Sequence, residues 1–442
     1  MKKTSAFSPT RVSMAVALVC AGISMPALAQ VEAKVTGRVH FDVRQHTNGA
    51  DMVDDRDSAT YADNFELRRA RIGVVGTINK DIAYEVVGNA VGSSTNFVDT
   101  AFVNYGFNKA AQVRAGRFKQ PFSLEELTSS NSIDFMERSY GNQLVPGKRL
   151  GLMIHGEPIQ GATYGVSVFQ QDFTQGVNSQ SLGNNAGARI TANLAELQKI
   201  QDTVVHFGVA STKGRDRINH TTSSGGGTST TATILSFRSE GRGVANIYRN
   251  RLDGPAVTAG YSAPSGTFTT NNKSLNGLEL AVSRGPFKFQ AETFNSNMDA
   301  SNSLGDASKL NTKTSYYEIM YNITGESWSK AYKGGAFSGI SPASVFMKDY
   351  GGVVGNGIGA WQIGYRISEY QVTELETTGI SVFGSTRGTT STFALNWIMN
   401  PNARVMLNYS DTQFDTAFTP VDTTGSTISG EKTISLRTQV NF

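Results

Sequence analysis

The residues of this 442-residue chain that could do chemistry are cations rather than nucleophiles. Arg69 and Arg71 stand two residues apart, Arg114, Arg117 and Lys119 fall close together, and Arg38 and Arg138 lie in similar surroundings. Such groups can hold anions. A guanidinium presents a planar fork suited to phosphate oxygens, and rings of Arg and Lys can replace the water that an anion sheds. Other chemistries lack their residues. Cys20 is the only cysteine, and the five histidines show no HExxH spacing. His155 and His206 fall on inward positions, yet no serine and acid stand ready beside either. Gly141 to Lys148 has a glycine spacing one residue too long for a phosphate-binding loop, and Arg149 stands where Ser or Thr is needed. Gly355-Asn356-Gly357-Ile358-Gly359 lacks the Rossmann spacing. Asp51, Asp54, Asp55 and Asp57 match no calcium-loop register and read as a solvated loop. No catalytic residue, metal, cofactor or nucleic-acid partner is therefore expected.

Cations aimed inward need rigid elements to carry them, and composition says which. Charged residues are 17% of the chain, below the roughly 25% of an average soluble protein. Glycine is abundant at 46 and proline scarce at 11, with Ser, Thr and Asn filling the gap. No apolar run after the first thirty positions reaches the roughly 20 residues of a membrane-spanning helix. The beginning of the chain reads as an export signal over residues 1–29. Lys2, Lys3 and Arg11 form a basic head, Val12 to Ile23 is mostly apolar, and Ala27-Leu28-Ala29 supplies the cleavage site. Cleavage removes Cys20 and lowers the formal charge from +4 to +1, with 37 basic residues against 36 acidic. Any anion preference must then come from where charges sit, not from their number.

The remaining residues, 30–442, read as one all-β domain, a transmembrane antiparallel β-barrel. Short alternating segments recur to the end, each with an apolar face for lipid and a polar face for the lumen. Trp361, Ile363, Tyr365 and Ile367 share one face, while Gln362, Gly364, Arg366 and Ser368 share the other. Asn400-Pro401-Asn402 and Arg284-Gly285-Pro286 mark tight turns. About eighteen segments qualify, of which one hairpin near 232–250 is the weakest, so 16–18 strands are expected. Long connections at 45–64, 117–148, 211–230 and 251–273 alternate with short ones. The stretch 324–359 breaks the rule, being long on the side where parity places short turns.

Phase then assigns directions, because a charge facing lipid at mid-membrane costs about 2–4 kcal/mol. Val35, Val39, Phe41 and Val43 point outward, so Arg38, His40, Asp42 and Arg44 point in. Ala70, Ile72 and Val74 send Arg69 and Arg71 inward. Phe65 and Leu67 have the opposite phase, which points to a bulge or the start of the strand near Arg68. The same logic turns Arg114, Arg189, Arg366, Arg404 and Arg437 inward. Ser123 with Glu126 reads as a capping box, which starts a short helix within 117–148. Ile434, Leu436, Thr438, Val440 and Phe442 form the outward face of a last strand able to close the barrel.

Phe65-Glu66-Leu67-Arg68-Arg69-Ala70-Arg71-Ile72-Gly73, the run from Arg114 to Ser130, Phe135-Met136-Glu137-Arg138 and Pro146-Gly147-Lys148-Arg149-Leu150-Gly151 resemble signatures of the phosphate-selective porin O and P family. So do Thr324-Gly325-Glu326, Gly359-Ala360-Trp361 and Leu395-Asn396-Trp397. The resemblance implies a sixteen-stranded outer-membrane barrel, usually a homotrimer amid lipid and lipopolysaccharide. Its loop over 117–148 would fold inward as a constriction, and small anions such as phosphate or polyphosphate would be its cargo. It also implies that Phe442 is read by the barrel assembly machinery. One departure is Asp99-Thr100-Ala101-Phe102, where members often carry Asp-Ala-Tyr, and this puts a lumen carboxylate there in question. On these expectations Arg38, Arg69, Arg71, Arg114, Arg117, Lys119 and Arg138 form an anion-binding constriction in a passive diffusion channel. The alternative is a weakly selective general-diffusion pore, in which Asp42, Glu66, Glu85, Glu279 and Glu292 neutralise the arginines. A barrel enzyme, or an adhesin with a filled lumen, is the more remote alternative.

Overall fold

The computed structural model describes residues 30–46, 63–91, 97–170, 185–219, 228–243, 246–257, 268–302, 305–346, 356–378, 380–419 and 427–442. The export signal at 1–29 and the acidic run at 51–57 lie outside the described residues. Sixteen antiparallel strands follow one another around a closed barrel, from Val31–His46 to Ile428–Asn441. Alternation sets the two surfaces. In the first strand Phe41 and Val43 are exposed outside, while His40, Asp42 and Arg44 are buried inside. The first strand pairs with the last from Arg38↔Asn441 to His46↔Thr433. No sheet edge is left to expose its backbone groups to lipid.

The expected bulge is present. His40 pairs with Arg69 and Phe41 with Leu67, so Arg68 is the extra residue. The doubtful hairpin lies off the wall. Thr228–Phe237 and Tyr248–Val257 pair with each other and with Ile380–Gly384 in a separate three-stranded sheet. The wall strand Thr203–Asn219 pairs directly with Phe268–Arg284, which makes everything between them one excursion.

The barrel is not an empty tube. The loop 120–147 folds inward and meets the stretch that parity could not accommodate. Leu124 and Phe135 of the loop share an apolar cluster with Trp328, Phe337 and Ile340 and with Ala281, Ala394 and Ile398 of the wall. The long stretch does begin at the turn end. There the hydroxyls of Ser327 and Ser329 donate to Asp202, and Trp328 Nε1 donates to Pro286 O at 3.0 Å. It then enters the lumen, where Tyr332 Oη lies 2.6 Å from His206 Nδ1 and Gly335 O accepts from Arg189 at 2.8 Å. Trp328 is 1% exposed. Near its return to the wall, Trp361 and Trp397 stack 5.4 Å apart and both indole N–H groups donate to Ile358 O. A second cluster joins Tyr140 of the loop to Phe237 and Tyr248 of the off-wall hairpin and Tyr370 of the wall.

A glycine is closely packed at the barrel seam. Gly37 N donates to Phe442 O at 2.8 Å, and a Cβ at Gly37 would lie 2.3 Å from the Phe442 ring and 2.8 Å from Arg71 O. Gly37→Val should destabilise the barrel by about 1–3 kcal/mol through overpacking. Urea unfolding of the purified barrel checks this, and an unchanged midpoint would show that the ring and strand shift freely.

Candidate functional site

The first strands of the barrel and the inward loop enclose a recess of about 840 Å³. All seven cations expected at a constriction line it: Arg38, Arg69, Arg71, Arg114, Arg117, Lys119 and Arg138. Lys148, Arg149 and Arg189 raise the basic side chains to ten, against the four carboxylates Glu85, Asp99, Glu126 and Glu157. A smaller recess of about 230 Å³, lined by Arg68, Arg238 and Arg242, shares Arg69 and Arg138 with it.

Local structure explains how each cation is held. The loop helix is Leu124–Leu127, and Ser123 Oγ accepts from Glu126 N at 3.1 Å, the first half of the expected capping box. The Glu126 carboxylate does not return to Ser123. It accepts from Asn142 Nδ2 at 2.9 Å and lies near Lys119 and Arg138. The wall supplies the N-terminal partner instead. Glu292 accepts from Leu124 N at 2.8 Å and Glu125 N at 2.9 Å, satisfying donors a helix leaves open at its start. At the other end Lys119 and Arg138 donate to Thr128 O at 3.0 and 2.8 Å, where the helix carbonyls favour cations. Burial works to raise the Glu126 carboxyl, but Arg138 and then Lys119 hold it below the usual carboxylate range.

On the strands, Arg38 donates to Ser130 Oγ at 2.8 Å. Arg69 lies 3.4 Å from His40 Nδ1. Arg114 donates to Asn104 Oδ1 at 3.1 Å, and Arg117 to Asp99 O at 3.2 Å. Arg71 pairs with Asp99 at 2.9 Å, and Lys148 pairs with the same carboxylate. Asp99 thus does face the lumen. Val87 pairs with Thr100 and Gly88 with Val98, so Asp99 is a bulge residue. Strict alternation misses it, although the consecutive polar pair Asp99-Thr100 was a signal of the same kind as Arg68-Arg69. Among the described residues no carboxylate lies within ion-pair distance of Arg38, Arg69 or Arg114. Arg38 Nε and Arg71 Nε are buried without a hydrogen-bond partner.

The other inward arginines do different work. Arg44 and Arg437 pair with Asp42, Arg44 also with Glu66, and Arg189 with Glu279. Arg366 binds Glu125 and Glu240, and Arg404 donates to Ile133 O at 2.8 Å. Arg44 and Arg437 through Glu137, Arg366 through Glu125 and Arg404 through Ile133 O fasten the loop to the wall, while Arg189 holds the inserted stretch through Gly335 O. Glu137 is where guanidiniums converge. Arg68 grips it with two bonds of 3.1 Å, while Arg44, Arg437 and Arg242 lie at 3.0, 3.2 and 3.6 Å. Burial alone would raise the Glu137 carboxyl, yet Arg68, Arg242, Arg437 and Arg44 hold it well below the usual range.

His206 has an acid partner that sequence spacing did not reveal, since Glu279 Oε2 lies 3.0 Å from its Nε2. Its second partner is the Tyr332 hydroxyl, and His155 binds Asn104 Oδ1 at 2.7 Å. Among the described residues neither histidine is hydrogen-bonded to a serine or cysteine, and no group of His, Cys, Asp and Glu is arranged to hold a metal.

Comparison with known proteins follows the same lines. The family described as phosphate-selective porin O and P matches residues 33–442. Porin O of Pseudomonas aeruginosa is 26% identical over 372 residues, which covers 80% of this chain and 78% of that protein. Among solved structures, the outer membrane channel DcaP of Acinetobacter baumannii superposes with a TM-score of 0.52 at 11% identity, over 96% of this chain and 100% of that one. A loop L8 deletion mutant of OmpT of Vibrio cholerae superposes with a TM-score of 0.50 at 11% identity, over 93% and 99%. At such identities the structures share the fold alone.

Removing the carboxylate at the arginine convergence tests what holds the loop. Glu137→Gln should cost about 1–3 kcal/mol, because it takes the nearest carboxylate from the partly buried Arg68 and Arg242 while Asp42 still pairs with Arg44 and Arg437. Thermal unfolding should register the loss and single-channel current should become noisier. The carboxyl is depressed, so its contribution is complete above the ordinary value of 4.5 and is lost only as pH falls through the lowered value. Acidification to about pH 5 should therefore leave the original protein's current steady. A variant as stable and as quiet as the original would remove Glu137 from this role.

Proposed function

The chain belongs to the phosphate-selective porin O and P family of outer-membrane porins, and within that family we propose that it is a passive diffusion channel that prefers anions, phosphate among them. The observation that carries this reading is the imbalance in the larger recess, where nine basic side chains face four carboxylates once Arg189, paired with Glu279 behind it, is set aside. The mature chain is nearly neutral overall, so this is a local concentration of charge. Inside a narrow lumen the effective dielectric falls below that of water, and each charge counts for more than its roughly 1 kcal/mol at contact in bulk. The buried, unspent donors Arg38 Nε and Arg71 Nε add to the excess of hydrogen-bond donors over acceptors there. Arg38, Arg69, Arg71, Arg114, Arg117, Lys119 and Arg138 are the residues we assign to the constriction. Sites along such a path must stay weak enough for ions to leave.

The ion pairs of Asp42, Glu66 and Glu279 favour the second reading, a weakly selective pore. It carries less weight because Arg44, Arg189 and Arg437 are each held in carboxylate pairs beside the loop and the inserted stretch, whereas Arg38, Arg69 and Arg114 have no such partner among the described residues. Residues 1–29 act in this proposal as a cleaved leader, residues 30–442 as a single barrel domain, and the working form is a homotrimer set in lipid and lipopolysaccharide.

Selectivity is tested in planar bilayers under a salt gradient. The original protein should give a reversal potential displaced toward anions, and Arg69→Glu or Lys119→Glu should move it toward cations. Added phosphate should reduce chloride current several-fold less in either variant. A reversal potential with no anion preference in the original, or one unmoved by both substitutions, would exclude these residues from selectivity. We also propose that the outward aromatic at the end of the chain is the assembly signal. Deleting Phe442 should leave the protein in the periplasm, where proteases remove it, and normal outer-membrane yield would contradict that role.

A further inference from the structure

The larger recess has two kinds of lining. Cations are one. The other is apolar, made up of the half-buried Phe102 and Leu127 and of Phe118, Pro121 and Met153, which are buried and show the recess only an edge. These side chains occupy positions that a water-filled lumen ordinarily gives to polar residues. Val103 is 51% exposed on the outside of its strand, which puts the half-buried Phe102 on the inside. Leu152 and Ile154 are both outward, which puts Met153 inside as well. Pro121 is pressed close to the wall because Gly165 has no side chain, and an added Cβ there would lie 2.9 Å from Pro121 Cβ. Arg114 stands among the apolar side chains, opposite Met153 on the neighbouring strand, with its guanidinium 4.4 Å from the centre of the Phe102 ring and 5.8 Å from that of Phe118.

A chloride or inorganic phosphate ion gains nothing from the apolar lining. Every face of such an ion wants a donor, and turning one face to carbon costs hydration without return. A space of about 840 Å³ also far exceeds the volume of one ion and falls in the range that holds small organic molecules. The solute that uses both linings carries a charge at one end and an apolar body at the other. Its carboxylate would meet the Arg and Lys side chains, and its ring would lie against Phe102 and Met153, with Arg114 among them.

We propose that this recess selects small aromatic carboxylates over both inorganic anions and short aliphatic carboxylates. The proposal rests on the anion preference argued above and adds to it the class of solute.

The test uses the full-length protein in planar bilayers, with benzoate, acetate and neutral benzamide as probes of chloride current at constant ionic strength. Covering about half of a phenyl ring corresponds to roughly a tenfold preference. Benzoate should therefore half-block the current at about one tenth of the acetate concentration, and benzamide should have little effect. Phe102→Asn and Met153→Gln should each shrink the benzoate-to-acetate ratio several-fold, whereas Phe102→Leu, which stays apolar, should keep most of it. Equal block by benzoate and acetate in an original channel that prefers anions overturns this proposal and leaves the anion reading intact. Equal ratios in the original and both polar variants overturn the assignment of the apolar lining. A channel with no anion preference in a potassium chloride gradient removes the anion reading and this proposal together.

Discussion

The convergence of guanidiniums on Glu137 is the interaction on which the interior depends. Arg44 and Arg68 come from the first two strands, Arg437 from the last, and Arg242 follows the first strand of the off-wall hairpin, while the carboxylate belongs to the inward loop. One partly buried anion thereby joins the barrel seam, the loop and the hairpin. Taking several charges out of water is costly, and their mutual attraction offsets that cost only where geometry is good. The two-bond grip of Arg68 supplies such geometry, and the bulge is what turns Arg68 inward beside Arg69. Without the extra residue one of the two would face lipid.

With the loop pinned, the lumen divides into sectors of different character. Against one sector of wall, arginines are matched with carboxylates and covered by the loop and the inserted stretch, and aromatic rings fill the remaining space. In the other sector the cations of the first strands and the loop outnumber their acidic neighbours and border open volume. Among the described residues, arginines paired with carboxylates and arginines without such pairs thus occupy different parts of one lumen. Net charge could not have separated them, since pairing depends on which strands face the same loop.

Much of this was legible in residue order. The phase of Arg69 and Arg71, the bulge at Arg68, the Ser123 cap and the outward face ending at Phe442 all follow from local periodicity or spacing, and lipid enforces periodicity strongly. The inward direction of Arg366 and Arg437 was equally readable, but their task of binding loop carboxylates was not. Asp99 escapes strict alternation, because the polar pair Asp99-Thr100 belongs to a bulge that the pairing with the neighbouring strand makes plain. Tyr140, Phe237 and Tyr370 meet across more than two hundred positions, and nothing in a strand's own pattern announces such a partner. Parity set the stretch 324–359 at the turn end but gave no place to its length, and its course into the lumen brings Trp328 and Phe337 against Lys288, a contact with no local signal.

The positions of the tryptophans give the molecule two built-in optical reporters. The chain has three, and they divide cleanly. Trp328 is enclosed within the barrel by the inserted stretch, while Trp361 and Trp397 stack in the outward phase of adjacent strands near the turn end. Emission from the stacked pair reports on the bilayer and is open to quenchers dissolved in lipid. Emission from Trp328 reports on the seating of the stretch and is shielded from those same quenchers. Lipid-borne quenching therefore separates light from the membrane boundary and light from the lumen without any label.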